Sequence, residues 1–303
     1  MDFSLSPMSF HNTISKIEHV ISTIPWIRRL PSLSRSRLSV DIAFVGSSLR
    51  TGCLIDLFTP KEPVVDFTRL LEVLIDNDST RDIVLDVSHV FEPSSGQSFL
   101  VNRKLLRQRL SGIARKGSQD VNLQQPPMTN TLIGELTFVT LFPGSGCKIS
   151  SDSEIPPELY SAIDSLLGII NFDATPLRVS IALPDNLPLS AAVALAAVIL
   201  DYPVAYVPSV EAATFSPIFL SGVAVNTYEC VLAYAGPDPP TPTSIMKFSA
   251  PAVLEEEQPD TLSPRKTTKR LEELFRARLE SIGDGSAQMT VICETVTFDR
   301  LAL

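Results

Sequence analysis

The chain has 303 residues, 44% of them hydrophobic and 19% charged, with a formal net charge of −9. That apolar share excludes wholesale disorder. The acidic balance argues against dedicated nucleic-acid binding, which needs cationic side chains to displace counterions from phosphates.

Near the N-terminus, Ile14, Ile17, Ile21 and Ile24 recur at spacings of three and four and predict an amphipathic helix over Thr13 to Ile24, ended by Pro25. WIRRLPSLSRSR then reads as a basic, serine-rich connector carrying Arg28, Arg29, Arg35 and Arg37. Leu38, Ile42, Val45 and Leu49 predict a second helix, with Gly52 near its C-terminal end. CLIDLF (53–58) is a short apolar run of buried-strand type, closed by Pro60 and Pro63. A helix is expected from Asp66 as N-cap, with Leu70, Leu71, Leu74 and Ile75 inward.

DIVLDVS (82–88) predicts a strand and SFLVN (98–102) an edge strand, after which Asn102 caps a helix bearing Leu105, Leu106, Leu110 and Ile113. Residues 117–131 are polar and proline-bearing and read as a loop. Then come a strand at 135–142 ending in PGSG, a helix at 155–170, a strand at 177–183, an all-apolar helix at 187–200 and a strand at 204–207. This strand–helix rhythm predicts an α/β fold: a mixed, mostly parallel central sheet with helices on both faces. Beyond it, 218–225 and 229–236 read as an antiparallel hairpin turning at Asn226–Tyr228, with a third strand at 244–251. LEEEQPDTLSPRK reads as a loop, Ser263 and Pro264 open a helix ended by Gly283, and 288–298 is a last strand. The C-terminal portion is therefore expected to be antiparallel. Residues 1–32 read as a helix with its linker and 33–303 as one α/β domain.

The apolar run at 187–200 is about fourteen residues, short of the roughly 20 that span a bilayer, so no membrane span is expected. Asp2 stands where a secretory leader carries basic residues and no long apolar core follows, so the expected location is cytoplasmic or nuclear. Cys53, Cys147, Cys230 and Cys293 form no CxxC pair, and His11, His19 and His89 lie far from them in sequence. Reduced structural thiols are expected, and no metal site.

CLIDLF, VNRKLLRQRL, LRVSIALP…AAVILDYPVAYV and ICETVTFDRLAL occur in this order over residues 33–303. In this the chain resembles the uncharacterised eukaryotic family typified by chromosome 1 open reading frame 74, domain of unknown function 4504. The resemblance implies a single sheet-based domain and carries no assigned activity. It also implies a glycine before Tyr202, where this chain has Asp201, so a different helix exit is expected here.

Of the residues that carry chemistry, PGSGCKISS (143–151) fails the phosphate-loop pattern, because Cys147 separates Gly146 from Lys148 and prolines 156 and 157 delay the helix. No nucleophile elbow or zinc-hydrolase motif is present. Asp56, near the end of CLIDLF, and Asp86, Ser88 and His89, ending DIVLDVSHV, are the candidate catalytic residues for a strand-end site. Tyr202 and Tyr206 are candidates for a ligand pocket, with apolar bodies and polar tips. The charged residues between Arg265 and Glu280, Arg276 and Arg278 among them, read as a solvated, ion-paired helix face. Two functions are expected from these features. One is a non-catalytic interaction module or adaptor with a protein partner and no cofactor. The other is a small-molecule or nucleotide-handling enzyme built on Asp56 and Asp86, the one reading under which Mg²⁺ could serve as a cofactor.

Overall fold

A computed structural model describes residues 9–117, 136–143, 146–171, 179–209, 220–234, 242–283 and 287–298. The first amphipathic repeat forms α1 (Phe10–Ile21), with Phe10, Ile14, Ile17 and Ile21 buried. Pro25 begins a new helix instead of ending the helical region. It sits in the first turn of α2 (Pro25–Arg28), where its missing N–H costs nothing, and α3 (Ser32–Gly46) follows. The expected linker is therefore largely helical. Arg35 Nη1 ties it by donating to the carbonyls of Leu30 (2.5 Å) and Arg28 (3.3 Å).

The left-handed residue after α3 is Ser48 (φ +63), not Gly52. Gly52 instead opens β1 (Gly52–Leu54), where a Cβ would stand 2.8 Å from the carbonyl oxygen of Ile199. Only glycine lets the strand approach a helix that closely. In α4 (Pro63–Asp76) Asp66 lies in the first turn rather than at the cap, and its carboxylate accepts from the Glu62 N–H at 3.3 Å.

The predicted strand at 82–88 begins as one helical turn, α5 (Arg81–Val84), and the strand is displaced to β2 (Val87–Glu92). Thr80 imposes this, its hydroxyl donating to the Leu74 carbonyl at 2.6 Å and fixing the chain reversal between α4 and α5. β3 (Gln97–Asn102) returns from β2 through residues 93–96, where the buried Glu92 carboxylate accepts the N–H groups of Ser94 (2.8 Å) and Ser95 (2.7 Å). Asn102 caps α6 (Arg103–Gly117) as expected, its Oδ1 accepting from the Leu105 N–H at 3.1 Å.

The middle of the chain supplies β4 (Thr137–Leu141), β5 (Cys147–Ile149), α7 (Pro157–Asn171), β6 (Ser180–Ala182), α8 (Leu189–Ile199) and β7 (Val204–Pro208). β4 and β5 form a hairpin, and Lys148 pairs with Glu154 at 2.7 Å; Gly144 and Ser145 lie outside the described residues. The expected hairpin at 218–236 is one continuous strand over its described part, β8 (Ala224–Ala233). Asn226 lies inside it, accepting from the Thr295 hydroxyl at 2.7 Å, and Tyr228 is fully buried. β9 (Thr243–Pro251) follows. The presumed loop beyond it folds into two short helices, α9 (Leu254–Glu257) and α10 (Pro259–Leu262), because Leu254 and Leu262 are buried. α11 (Pro264–Ile282) starts after Ser263 and stops at Gly283 (φ +78), as its sequence predicts, and β10 (Gln288–Thr297) ends the described fold. The loop expected at 117–131 lies outside the described residues beyond Gly117.

The chain is mixed α/β. The described strands form three sheets, ordered β1-β3-β2-β6, β5-β4-β7 and β10-β8-β9. Only β2–β6 and β4–β7 are parallel among the described pairs, and the C-terminal sheet is antiparallel as expected. The hairpin turn at 93–96 and the antiparallel pairing of β4 with β5 displace the expected mostly parallel arrangement, since a short turn can join only antiparallel strands. For the same reason β3 is an inner strand, with β1 on one side and β2 on the other.

The four-stranded sheet is covered on both faces. Leu100 of β3 joins the cluster with α1, α3 and α4, whereas Phe99 and Val101 join the cluster with α6, α7 and α8. Successive side chains of a strand point to opposite faces, so one strand feeds both cores. Among the described residues no helix is long and apolar enough to cross a membrane.

Candidate functional site

The four strand-end candidates do not meet. Leu54 pairs with Phe99 and the Ile55 N–H donates to the Ser98 carbonyl at 2.9 Å, which puts Asp56 beside Gln97. Asp86 precedes β2, and its carbonyl accepts the Arg103 N–H at 2.8 Å. Positions 97 and 103 of the shared neighbour lie about 20 Å apart at the ~3.3 Å rise of a strand. The two carboxylates therefore sit at opposite ends of the sheet, and Asp86 is engaged by Lys104 Nζ at 2.6 Å. They build no common site. Ser88 is buried within β2. His89 is fully buried too, stacked on Phe67 with ring centroids 4.3 Å apart and with Nδ1 2.6 Å from the Ser180 hydroxyl. Burial lowers its pKa to about 3, so the imidazole is a neutral packing group.

The two tyrosines do come together at a cavity. The terminal strands of all three sheets, β1, β7 and β9, converge beneath α8 around a space of about 410 Å³. Leu54 comes from β1, Val204 and Tyr206 from β7, Phe248 and Ser249 from β9, and Tyr202 from the approach to β7. Ser95 borders it from the β2–β3 turn and Gln97 from the start of β3. Beside Leu189, Val193 and Leu200, α8 faces the space with Ala192, Ala196 and Ala197, whose small side chains leave room between helix and strands. Tyr206 Oη donates to the Ser249 carbonyl at 2.9 Å, and Tyr202 packs on Phe248 at 5.6 Å. A second hollow, between α11 and the start of β10, is rimmed by Glu272, Arg276 and Glu280, one helix face whose charges alternate in sign.

What fixes the pocket is the turn that leaves α8. The Tyr202 N–H donates to the Ala197 carbonyl (2.9 Å) and the Asp201 N–H to that of Val198 (3.3 Å), a helix-ending pair of bonds that needs a left-handed residue between them. Asp201 is that residue, at φ +65, so the exit has the geometry a glycine would give it and the departure expected there is not seen. A non-glycine residue in this conformation is strained by roughly 1–2 kcal/mol, and its side chain supplies the compensation. Its carboxylate takes Arg109 Nη1 at 2.8 Å, Arg278 Nη2 at 2.6 Å and the Thr51 hydroxyl at 3.0 Å. Arg109 also donates to the Val198 (2.9 Å) and Tyr202 (2.5 Å) carbonyls, and Arg278 to that of Leu49 (3.1 Å). Burial pushes the Asp201 carboxyl up, but the two guanidiniums and the hydrogen bonds outweigh it and hold it below the usual range.

Sequence reading missed this network. It placed Arg278 on a solvated face, yet its side chain is only 11% exposed. A legible signal was Asp201 itself, a carboxylate placed directly after an all-apolar helix and so in need of buried cations.

A second aspartate, Asp41, lies between Arg50 (3.2 Å) and Arg37 (3.4 Å), and there burial prevails and raises its pKa. All four cysteines are free, and burial pushes Cys53 and Cys230 up to about 12, far from a reactive thiolate. Among the described residues no three His, Cys, Asp or Glu side chains converge as metal ligands would. Comparisons with protein-family models, curated proteins and solved structures found no match.

Proposed function

We propose that the chain is an α/β module acting by non-covalent recognition, with the α8 pocket as its recognition element. Likeness to the family of domain of unknown function 4504 is proposed alongside it. The observation that carries the proposal is the meeting of three sheet edges and an alanine-lined helix around one cavity, braced by buried ion pairs at the helix exit. The space opens to solvent, with Leu189 48% exposed at its edge, so it offers apolar surface that a ligand would cover. Buried ion pairs pin the helix exit beside it and hold its shape. The volume is that of a small-molecule site, and most of the lining is apolar.

The strand-end enzyme on Asp56 and Asp86 loses its basis once the register separates the two carboxylates. A neutral environment-sensitive dye such as Nile red tests the proposal. We expect one saturable site in the native chain and its loss in Ala196→Phe, whose ring would occupy the space. Equal dye binding by both proteins would overturn it.

A further inference from the structure

We infer that the pocket selects an uncharged, mainly hydrocarbon amphiphile whose hydroxyl or carbonyl end is taken by Tyr206 and Ser249. This rests on the pocket being the recognition element, and it names what the pocket takes.

No lining side chain carries a charge: the polar groups are Ser95, Gln97, Tyr202, Tyr206 and Ser249, and the rest are aliphatic or aromatic. A carboxylate, phosphate or ammonium entering would lose its water without gaining a counter-ion, the costliest event in burial. Asp56, exposed and hydrated beside Gln97 at the other end, is unfavourable for an anion and too well solvated to compensate a buried ammonium.

The polar end is set by hydrogen-bond inventory. Tyr206 Oη spends its proton on the Ser249 carbonyl at 2.9 Å and stands 3.3 Å from the Ser249 hydroxyl. Its oxygen keeps acceptor capacity, and the neighbouring hydroxyl both donates and accepts. A ligand hydroxyl or carbonyl matches that pair. Ser95 offers less, because its hydroxyl is committed to the Glu92 carboxylate, which leaves the Gln97 amide as the polar group at the other end. A volume of about 410 Å³ admits roughly 15–20 heavy atoms at ordinary packing.

Titration calorimetry on the full chain tests this with 1-decanoylglycerol, decanoate, decyl phosphate and decylammonium, each below its micelle threshold. We expect the uncharged glyceride to bind one-to-one and at least about 10-fold more tightly than any charged chain, the discrimination that an unpaired buried charge imposes. Tyr206→Phe should weaken the glyceride about 2- to 10-fold, the range of one neutral hydrogen bond, and leave the charged probes unchanged. A charged probe binding as tightly as the glyceride, with Ala196→Phe abolishing both, would overturn the ligand class and leave the pocket standing. Unchanged glyceride binding in Tyr206→Phe would overturn the assignment of the polar end. Absence of all binding, or equal binding by a folded Ala196→Phe, would overturn the pocket itself. Should Ala196→Phe fail to fold by near-ultraviolet circular dichroism, Ala192→Leu takes its place.

Discussion

Asp201 and Asp41 are both buried, their side chains 5% and 7% exposed, and each lies between two arginines, yet burial prevails at one and is overcome at the other. At Asp201 the nitrogens stand 2.8 and 2.6 Å away, Arg109 is buried and the Arg278 side chain only 11% exposed, and the Thr51 hydroxyl adds a third donor. At Asp41 the contacts are 3.2 and 3.4 Å, Arg37 is 40% exposed, and the Asp56 charge adds repulsion. Counting arginines would make the two sites equal. What separates them is how much of the lost hydration each carboxylate regains from groups in direct contact. The tighter site lies where the chain must hold a left-handed residue beside the pocket.

The comparison breaks most visibly at Asp201. Asp201→Ala removes the shared partner of two buried guanidiniums and should cost about 3–5 kcal/mol in urea unfolding. Asp201→Gly relieves the left-handed backbone and should be about 1 kcal/mol more stable than the alanine variant while remaining well below the native chain. A glycine variant as stable as the native protein would show that the ion pairs contribute no more than the backbone strain they offset.

His89 sharpens the comparison as the limit where desolvation acts without any charged partner. Its folded pKa of about 3 lies below the ordinary 6.5, so between those values the unfolded chain holds the extra proton. Stability is then complete above pH 6.5 and falls on acidification, at up to about 1.4 kcal/mol per pH unit. His89→Gln should remove that slope between pH 6.5 and 5. If the slope persists in the variant, another group is responsible. Asp201 acts in the same direction but lower: its carboxyl is held below the ordinary 3.8, so its stabilisation is present above that value and lost as pH falls through the folded pKa. Thr51→Val, which removes one donor and leaves both guanidiniums in place, should cost about 1–2 kcal/mol. A loss as large as that of Asp201→Ala would mean that the hydroxyl, not the arginines, sets the sign.

Much of the element order was legible because apolar periodicity marks a buried face directly. The stripes of α1 and α3, the Asn102 cap, and the Ser263, Pro264 and Gly283 boundaries of α11 appear where their residues place them. Sheet direction was not legible, because it depends on which strands a turn joins, and the turn at 93–96 was not read as a hairpin. The run at 82–88 misled for a related reason, since a threonine bonding six residues back outweighs local β propensity. Of the candidate site residues, the two tyrosines, singled out for their amphipathic chemistry, line one cavity. Asp56 and Asp86 share a residue type but not a place, and proximity of that kind is long-range. Arg109 and Arg278 were hidden for the same reason: each sits on a helix with a charged sequence, and only the fold turns it inward toward Asp201.

The smallest effect is expected at Asp41 and is the most discriminating. Its raised pKa means that the folded protein favours the protonated acid, so native stability declines as pH rises from the ordinary 3.8 through the folded value. Asp41→Asn cannot ionise and escapes that decline. The amide oxygen can still accept from Arg50, though Arg50 is buried, with its Nε lacking a partner among the described residues, and loses a counter-charge in the exchange. These effects oppose each other and should leave the variant within about 1 kcal/mol of the native chain at pH 7, against 3–5 kcal/mol for Asp201→Ala. The direction with pH is the sharper observable: measured by urea unfolding from pH 4 to 7, Asp41→Asn should gain on the native chain as pH rises. If it loses ground instead, the arginines dominate at both aspartates and contact distance is not what divides them.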